Sequence, residues 1–247
     1  MQNWHVFVKG GRMTAKKVIK HGRDQASKST ARIMIVDDHP IVRHGLAQLL
    51  SQEDDMTVSD EAGAATEALS KMEKQRPDVI LVDISLDGIS GIELIKTLQH
   101  RDPDIALLVL SMHDENLYAE RALRAGAKGY IMKQEASEKV VTAIRAVLNG
   151  DLYVSKDIAA RMLQEFVGGL GGENRRFGVE RLSDRELEVF EWLGQGLSTA
   201  EIAEKLSLSV KTIETYRAHI KDKLKLRNAT ELIHQAVHWV QNKMEAS

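Results

Sequence analysis

Between residues 33 and 150 the chain alternates two kinds of hydrophobic pattern. Short β-branched runs predict strands at 33–36, 57–59, 79–82, 106–110 and 129–132. Stretches with apolar residues every three or four positions predict helices at about 41–52, 64–75, 91–100, 115–125 and 137–149. On the first helix the repeat reads Ile41, Val42, Leu46, Leu49 and Leu50. Three of the strands are uninterrupted apolar runs, as strands covered on both faces must be, whereas 57–59 is weaker and reads as an edge. Pro77 and Pro103 each close a helix ahead of a strand. Five strand–helix repeats of this kind predict an α/β, doubly wound domain over 32–150 with a five-stranded parallel sheet.

Beyond Leu182 the period is helical throughout. Ser183 with Glu186 and Ser198 with Glu201 fit the capping box, in which serine and glutamate satisfy each other's free amides at a helix start. Ser209 before Val210 and Asn228 with Glu231 supply two further starts. An all-α domain of four short helices is therefore expected over 182–244. The turn before its third helix, 206–209, is short enough to make a helix-turn-helix. Between the domains, 151–181 reads as a linker: 156–167 can form a helix, and Gly168, Gly169, Gly171, Gly172 and Gly178 mark the hinge.

Composition narrows the classes. Of 247 residues, 43% are hydrophobic and 28% charged, the balance of a folded globular chain. With no cysteine, disulfide frameworks, thiolate metal sites and cysteine nucleophiles are excluded, and a reducing cytoplasm is the expected location. The longest apolar run, 105–110, is far short of the roughly 20 residues a bilayer helix needs, and no signal-peptide core is present, so no membrane partner is expected. The net charge of −2 conceals +7 in residues 1–32 and −8 in 33–150. Residues 1–31 form a basic extension with no sustained period, expected to be disordered.

In an open parallel sheet, function gathers at the carboxyl ends of the strands. There stand Asp37 and Asp38 after the first strand, Asp83 after the third, Ser111 after the fourth and Lys133 after the fifth. An aspartate after a strand is usually a turn former or a helix cap. Five compatible residues at four strand ends are a stronger signal. Three carboxylates in one pocket repel unless a cation shares it, and Mg²⁺ suits oxygen ligands supplied by two carboxylates and a phosphate. Lys133 and the Ser111 hydroxyl could then bind phosphoryl oxygens while a carboxylate carries an acyl phosphate.

These residues carry a resemblance. Asp37-Asp38-His39-Pro40, the strand ending in Asp83, Leu110-Ser111 and Ala127-Lys128-Gly129-Tyr130 leading to Lys133 resemble a response-regulator receiver domain, whose fold is flavodoxin-like. Leu182, Ser183, Arg185, Glu186, the 198–206 helix and Val210-Lys211-Thr212-Ile213-Glu214-Thr215 resemble a LuxR-type DNA-binding domain. Together they resemble the NarL/FixJ family of two-component transcriptional regulators. The resemblance implies that a sensor histidine kinase phosphorylates Asp83, and that Asp38, Asp83 and the Ser85 carbonyl bind Mg²⁺ with Asp37 helping through water. It further implies that Ser111 swings toward the phosphoryl group, Tyr130 moves inward with it, and Lys133 pairs with phosphoryl oxygens. One position departs from the family pattern: Leu86-Asp87, in place of Met-Pro, precedes Gly88.

In a helix-turn-helix the second helix enters the major groove, with its N-terminal residues at the base edges. Lys211, Glu214, Thr215 and Ala218 hold that position, and Thr212, Arg217 and Lys221 complete the candidate interface. Lys211 can donate to guanine, Glu214 can accept from cytosine or pair with Lys211 or Arg217 instead, and the Thr215 methyl can touch thymine. Six bases against two acids over 209–227 suit phosphate neutralisation. Ser198 and Thr199 start a helix where a backbone phosphate binds. Ile202, Ala203, Leu206, Ile213, Ile220 and Leu224 are expected in the core. In the family the last helix also pairs two DNA-binding domains, which makes Leu232, Ile233, Ala236 and Val240 the dimerisation candidates.

The resulting expectation is a phosphorylation-controlled DNA-binding regulator rather than an enzyme. Its receiver catalyses only its own phosphorylation and dephosphorylation, and covers or misorients the second domain until phosphorylation promotes homodimerisation and promoter binding. A Mg²⁺-dependent phosphatase is the enzyme alternative, but those enzymes resemble a D-x-D first strand, whereas Asp37 and Asp38 are adjacent. A receiver serving only as a dimerisation module is the third reading.

Overall fold

The structure, a computed structural model, describes residues 5–9, 12–16, 30–167 and 178–245. The chain divides into two units, 1–30 and 31–247. In the first, β1 (His5–Lys9) and β2 (Arg12–Lys16) pair antiparallel, with Lys9 opposite Arg12. These two strands lie within the extension for which disorder was expected. Val6, Phe7 and Val8 are strand formers, and the intervening Gly10-Gly11 is a two-residue hairpin signal in the sequence. Most of the remaining extension lies outside the described residues.

The second unit opens with the strands and helices β3 (Ala31–Val36), α1 (Pro40–Leu50), β4 (Met56–Ala62), α2 (Ala65–Lys74), β5 (Val79–Asp83), α3 (Gly91–Arg101), β6 (Ala106–Ser111), α4 (Glu115–Ala125), β7 (Gly129–Met132) and α5 (Ala136–Leu148). The sheet order is β4-β3-β5-β6-β7, every pair parallel. Strand residues alternate between two cores. Ile33, Ile35, Leu81 and Leu108 pack with Leu46 and Leu50 of α1 and Val140 and Ile144 of α5. Met34, Val36, Ile80, Val82, Leu107 and Val109 pack toward the opposite helices. Each side chain of this kind contributes roughly 1.5–3 kcal/mol on burial. The predicted edge strand 57–59 is longer, Met56–Ala62, and does lie at the edge.

Residues just past 150 follow the other edge. The Tyr153 amide donates to the Lys128 carbonyl and the Tyr130 amide to the Tyr153 carbonyl, both at 2.9 Å. Helix α6 (Lys156–Val167) then buries Ile158, and Arg161 donates to the Asn116 carbonyl at 3.0 Å. Most of the expected glycine hinge, 168–177, lies outside the described residues.

The C-terminal part comprises α7 (Asp184–Gly194), α8 (Thr199–Lys205), α9 (Val210–Leu224) and α10 (Ala229–Glu245). Both capping boxes form reciprocally at Ser183/Glu186 and Ser198/Glu201, and Ser209 caps α9. Asn228 accepts from the Glu231 amide at 2.9 Å, but Glu231 reaches back to Arg227 rather than to Asn228. Helices α7 and α10 approach closely because position 194 is glycine: a Cβ there would lie 2.4 Å from the Ala236 carbonyl oxygen. The core on the α2–α4 side of the sheet runs on without a break through Ile84 and Leu86 to Leu182, Leu187 and Phe190 of this domain.

Candidate functional site

The sheet places Asp37, Asp83, Ser111 and Lys133 at adjacent strand ends, and all but Lys133 are buried. Lys133 Nζ lies 2.7 Å from Asp83 Oδ2 and 2.7 Å from Asp37 Oδ2. The Ser85 amide donates to Asp83 Oδ1 at 3.2 Å, and the His39 amide donates to Asp37 Oδ1 at 2.8 Å. Asp37, Asp38, His39 and Asp83 bring one potential ligand atom each within 4.8 Å of the others. Gly91 lets the start of α3 close on the end of β5: a Cβ at that position would sit 1.9 Å from the Asp83 carbonyl oxygen.

The electrostatics follow from burial. Burial raises the Asp83 carboxyl above its ordinary range, Lys133 opposes that and Asp37 adds to it. Burial likewise raises Asp38, with His39 opposing. For Lys133, burial alone pulls the ammonium down, but Asp83 and Asp37 outweigh it and the net shift is upward. Two of the three carboxylates thus share one lysine, and Asp38 has His39 beside it. Asp37 Oδ2 and Asp38 Oδ1 have charged or basic neighbours, Lys133 and His39, but no aligned hydrogen bond. This surplus of oxygen lone pairs and negative charge fits a hard divalent cation such as Mg²⁺.

The expected switch residues meet at His113. The His113 amide donates to Ser111 Oγ at 3.0 Å, and the Tyr130 hydroxyl donates to the His113 carbonyl at 2.8 Å. Tyr130 points inward in this conformation, 2% exposed. His113 Nε2 lies 2.8 Å from Ser85 Oγ, and Nδ1 lies 3.0 Å from Glu191 Oε2 of α7. Burial alone would lower this imidazole, but Glu188 and Glu191 outweigh it and hold it up at about 9. At neutral pH both ring nitrogens therefore donate.

Glu191 belongs to a row that the sequence reading missed. Arg185, Glu186, Glu188 and Glu191 are all buried, although each would be expected on a solvated helix face. Helix α7 lies between the receiver and helices α9 and α10, so no face of it is left to water. The charges are matched instead. Arg185 pairs with Glu188 at 2.5 Å, Glu186 with Lys223 of α9 at 2.5 Å, and Glu191 with His113. Arg185 Nη2 also donates to the Leu86 and Gly88 carbonyls at 2.8 Å each, in the loop after Asp83. Arg121 of α4 donates to the Leu182 carbonyl at 2.8 Å and to Asp184 at 3.1 Å. Five acids and bases within 184–191 were visible in the sequence, but spacing alone does not distinguish a solvated stripe from a matched one.

On the recognition helix, Lys211, Glu214, Thr215 and Ala218 are exposed, while Thr212, Arg217 and Lys221 are half-buried. In this conformation the four residues expected at base edges are thus open to solvent. Arg217 donates to the Thr199 hydroxyl, and Ser198 is engaged in its capping box. Ile202, Ala203, Leu206, Ile213 and Ile220 lie in the core as expected, and Leu224 packs against it. The four dimerisation candidates on α10 divide by burial. Leu232, Ala236 and Val240 are buried in the domain's own core, since α10 must cover α7, and Ile233 alone of the four is exposed, at 41%.

Comparison with known proteins covers both halves. Residues 33–145 match the response regulator receiver domain, and residues 180–236 match the bacterial regulatory proteins of the luxR family. The chain is 38% identical to the oxygen regulatory protein NreC of Staphylococcus carnosus, over 83% of this chain and 96% of that protein. Among solved structures it is similar to a LuxR-family two-component response regulator from Aurantimonas sp. SI85-9A1, with 39% identity, a TM-score of 0.52, and coverage of 56% of this chain and 99% of that one. It is also similar to RcsB of Salmonella enterica serovar Typhimurium bound to a promoter in the presence of phosphomimetic BeF₃⁻, with 27% identity, a TM-score of 0.56, and coverage of 84% and 98%.

Proposed function

Because the chain belongs to the NarL/FixJ-type response regulators, in which a receiver is joined to a LuxR-type DNA-binding domain, it is a DNA-binding regulator of transcription, and we propose that Asp83 is its phosphoacceptor. The observation that carries this reading is the placement of Lys133 Nζ 2.7 Å from Asp83 at the rim of an otherwise acidic pocket. An Asp83 oxygen forms the new bond to phosphorus as the bond from phosphorus to the histidine nitrogen of a sensor kinase breaks, and that imidazole leaves with the bonding electrons. Lys133 pairs with the phosphoryl oxygens, and the Ser111 hydroxyl turns toward them. Asp37, Asp38, Asp83 and the Ser85 carbonyl would hold Mg²⁺, which when bound offsets the phosphate's negative charge.

In this reading the chain turns over no external substrate and acts in the cytoplasm. No described helix is long and apolar enough to cross a membrane. Phosphorylation releases α7 from the receiver and promotes pairing of two chains on promoter half-sites. Lys211, Glu214, Thr215 and Ala218 face base edges, and Arg217, Lys221 and the α8 start face phosphates. The test is Asp83→Asn: acetyl phosphate with Mg²⁺ is expected to strengthen DNA binding by the parent protein and to leave the variant unchanged. Equal stimulation of both would overturn the assignment.

A further inference from the structure

His113 was singled out neither by its chemistry in the sequence nor by the phosphoacceptor reading, yet it has hydrogen-bond partners in four separate places. Its amide is held by Ser111 at the end of β6, its carbonyl by Tyr130 of β7, one ring nitrogen by Ser85 two residues after Asp83, and the other by Glu191 of α7. The ring is 6% exposed and stacks on Tyr118, with centroids 4.5 Å apart. Three of its partners therefore border the proposed acyl-phosphate pocket and the fourth is in the DNA-binding domain. We propose that His113 is the positioning residue that couples the pocket to the docking of α7, so that phosphorylation and docking oppose each other through the His113–Glu191 pair.

The physical argument rests on satisfaction. Ser111 has one hydroxyl, and its oxygen now accepts the His113 amide. When the Ser111 side chain swings so that its Oγ leaves that amide for a phosphoryl group on Asp83, a buried amide loses its partner, a state the β6–α4 loop relieves by shifting. A shift at residue 113 carries the imidazole away from Glu191. Glu191, 5% exposed, would then stand as a buried carboxylate without the ring nitrogen that now lies 3.0 Å from it, next to Glu188, 2% exposed. Breaking one partner out of a buried pair is strongly unfavourable, and hydration of α7 by undocking removes the penalty. Arg185, whose guanidinium grips the Leu86 and Gly88 carbonyls, extends the same dependence to the loop after Asp83. Linkage makes the effect reciprocal: docked α7 keeps Ser111 on the His113 amide, and so weakens the pocket for a phosphoryl group by the same factor by which that group weakens docking.

This inference rests on the Asp83 reading, and its test separates the two. Beryllofluoride with Mg²⁺ serves as the phosphoryl probe on the full chain, with affinity and DNA binding both measured. Glu191→Gln, on the far side of the interface from the pocket, is expected to tighten beryllofluoride binding about tenfold and to raise DNA binding without the probe toward the parent's level with it. His113→Gln is expected to act similarly, and the double variant to gain no more than either single change, because both remove one coupling. If one variant fails to fold, the other carries the comparison. Beryllofluoride affinity within twofold of the parent in a folded Glu191→Gln or His113→Gln protein overturns the coupling, even if thermal stability falls. Asp83→Asn supplies the control. Loss of the beryllofluoride response there, with unchanged affinity in the interface variants, sinks the coupling alone, whereas a retained response sinks the phosphoacceptor reading beneath it.

Discussion

The charge on Asp83 is balanced by Lys133, whose ammonium lies 2.7 Å from both Asp83 and Asp37. Replacing Lys133 with methionine leaves two buried carboxylates without their cation. Phosphorylation by acetyl phosphate is expected to fall by about 10²–10³-fold, the usual effect of losing one preorganised electrostatic partner, as read on phosphate-affinity gels. At this scale the sequence was informative because strand-end positions converge in any parallel sheet, so Asp37, Asp38, Asp83, Ser111 and Lys133 could be named from their spacing after apolar runs. His113 could not. It follows Ser111 by two residues in a polar stretch, where a histidine is ordinarily a loop residue, and its partner Glu191 is 78 positions away.

Among the elements, α7 and α10 show how one segment's role depends on its neighbours. Glu186 accepts from the Ser183 amide at 2.6 Å and pairs with Lys223 at 2.5 Å, tying α7 to α9. Burial alone would raise its carboxyl, but Lys223 and the Ser183 donors outweigh it and hold the carboxyl below the usual range. A depressed folded value means the stabilisation is complete above the unfolded carboxylate pKa near 4.3 and is lost as pH falls through the folded value. Glu186→Gln is therefore expected to lower stability at neutral pH and to flatten the acid limb of a urea-denaturation pH profile below about pH 5. On α10, Ile233→Asp is expected to reduce cooperative DNA binding tenfold or so while changing monomer stability by less than about 0.5 kcal/mol, the range for exposed substitutions. A drop in the thermal midpoint matching the DNA-binding loss would place Ile233 in the core instead. The helical repeat over 229–242 located this element in the sequence. It did not separate the residues that pack on α7 from the one left outward, because both sets recur with the same 3.6-residue period.

Across residues 31–247 the molecule is a receiver whose second core is shared with its DNA-binding domain. Arg185 donates to two carbonyls across that junction, so Arg185→Ala leaves Leu86 and Gly88 without these donors and removes the guanidinium 2.5 Å from Glu188. Small-angle scattering without any phosphodonor is expected to show a larger radius of gyration for this variant, and a radius unchanged from the parent would mean that apolar contacts alone hold the domains. Such an interface explains why the recognition helix is exposed while α7 is enclosed. Under the proposed mechanism, regulation acts on the helix that supports the reader rather than by covering the reading surface.

The amino-acid order by itself determined the five-stranded α/β half, the four capped helices, the acidic strand-end pocket and the basic recognition helix. These depend on periodicity, caps and topology, which act over a few residues or follow from any parallel sheet. The side of α7 turned to the receiver, the inward Tyr130, the buried Glu188 and Glu191, and the assignment of Leu232, Ala236 and Val240 to packing were decided only in three dimensions. They depend on which surfaces remain after segments far apart in sequence have met. A charged residue is legible as buried only once its partner is in place, because without that partner its burial would be too costly to occur.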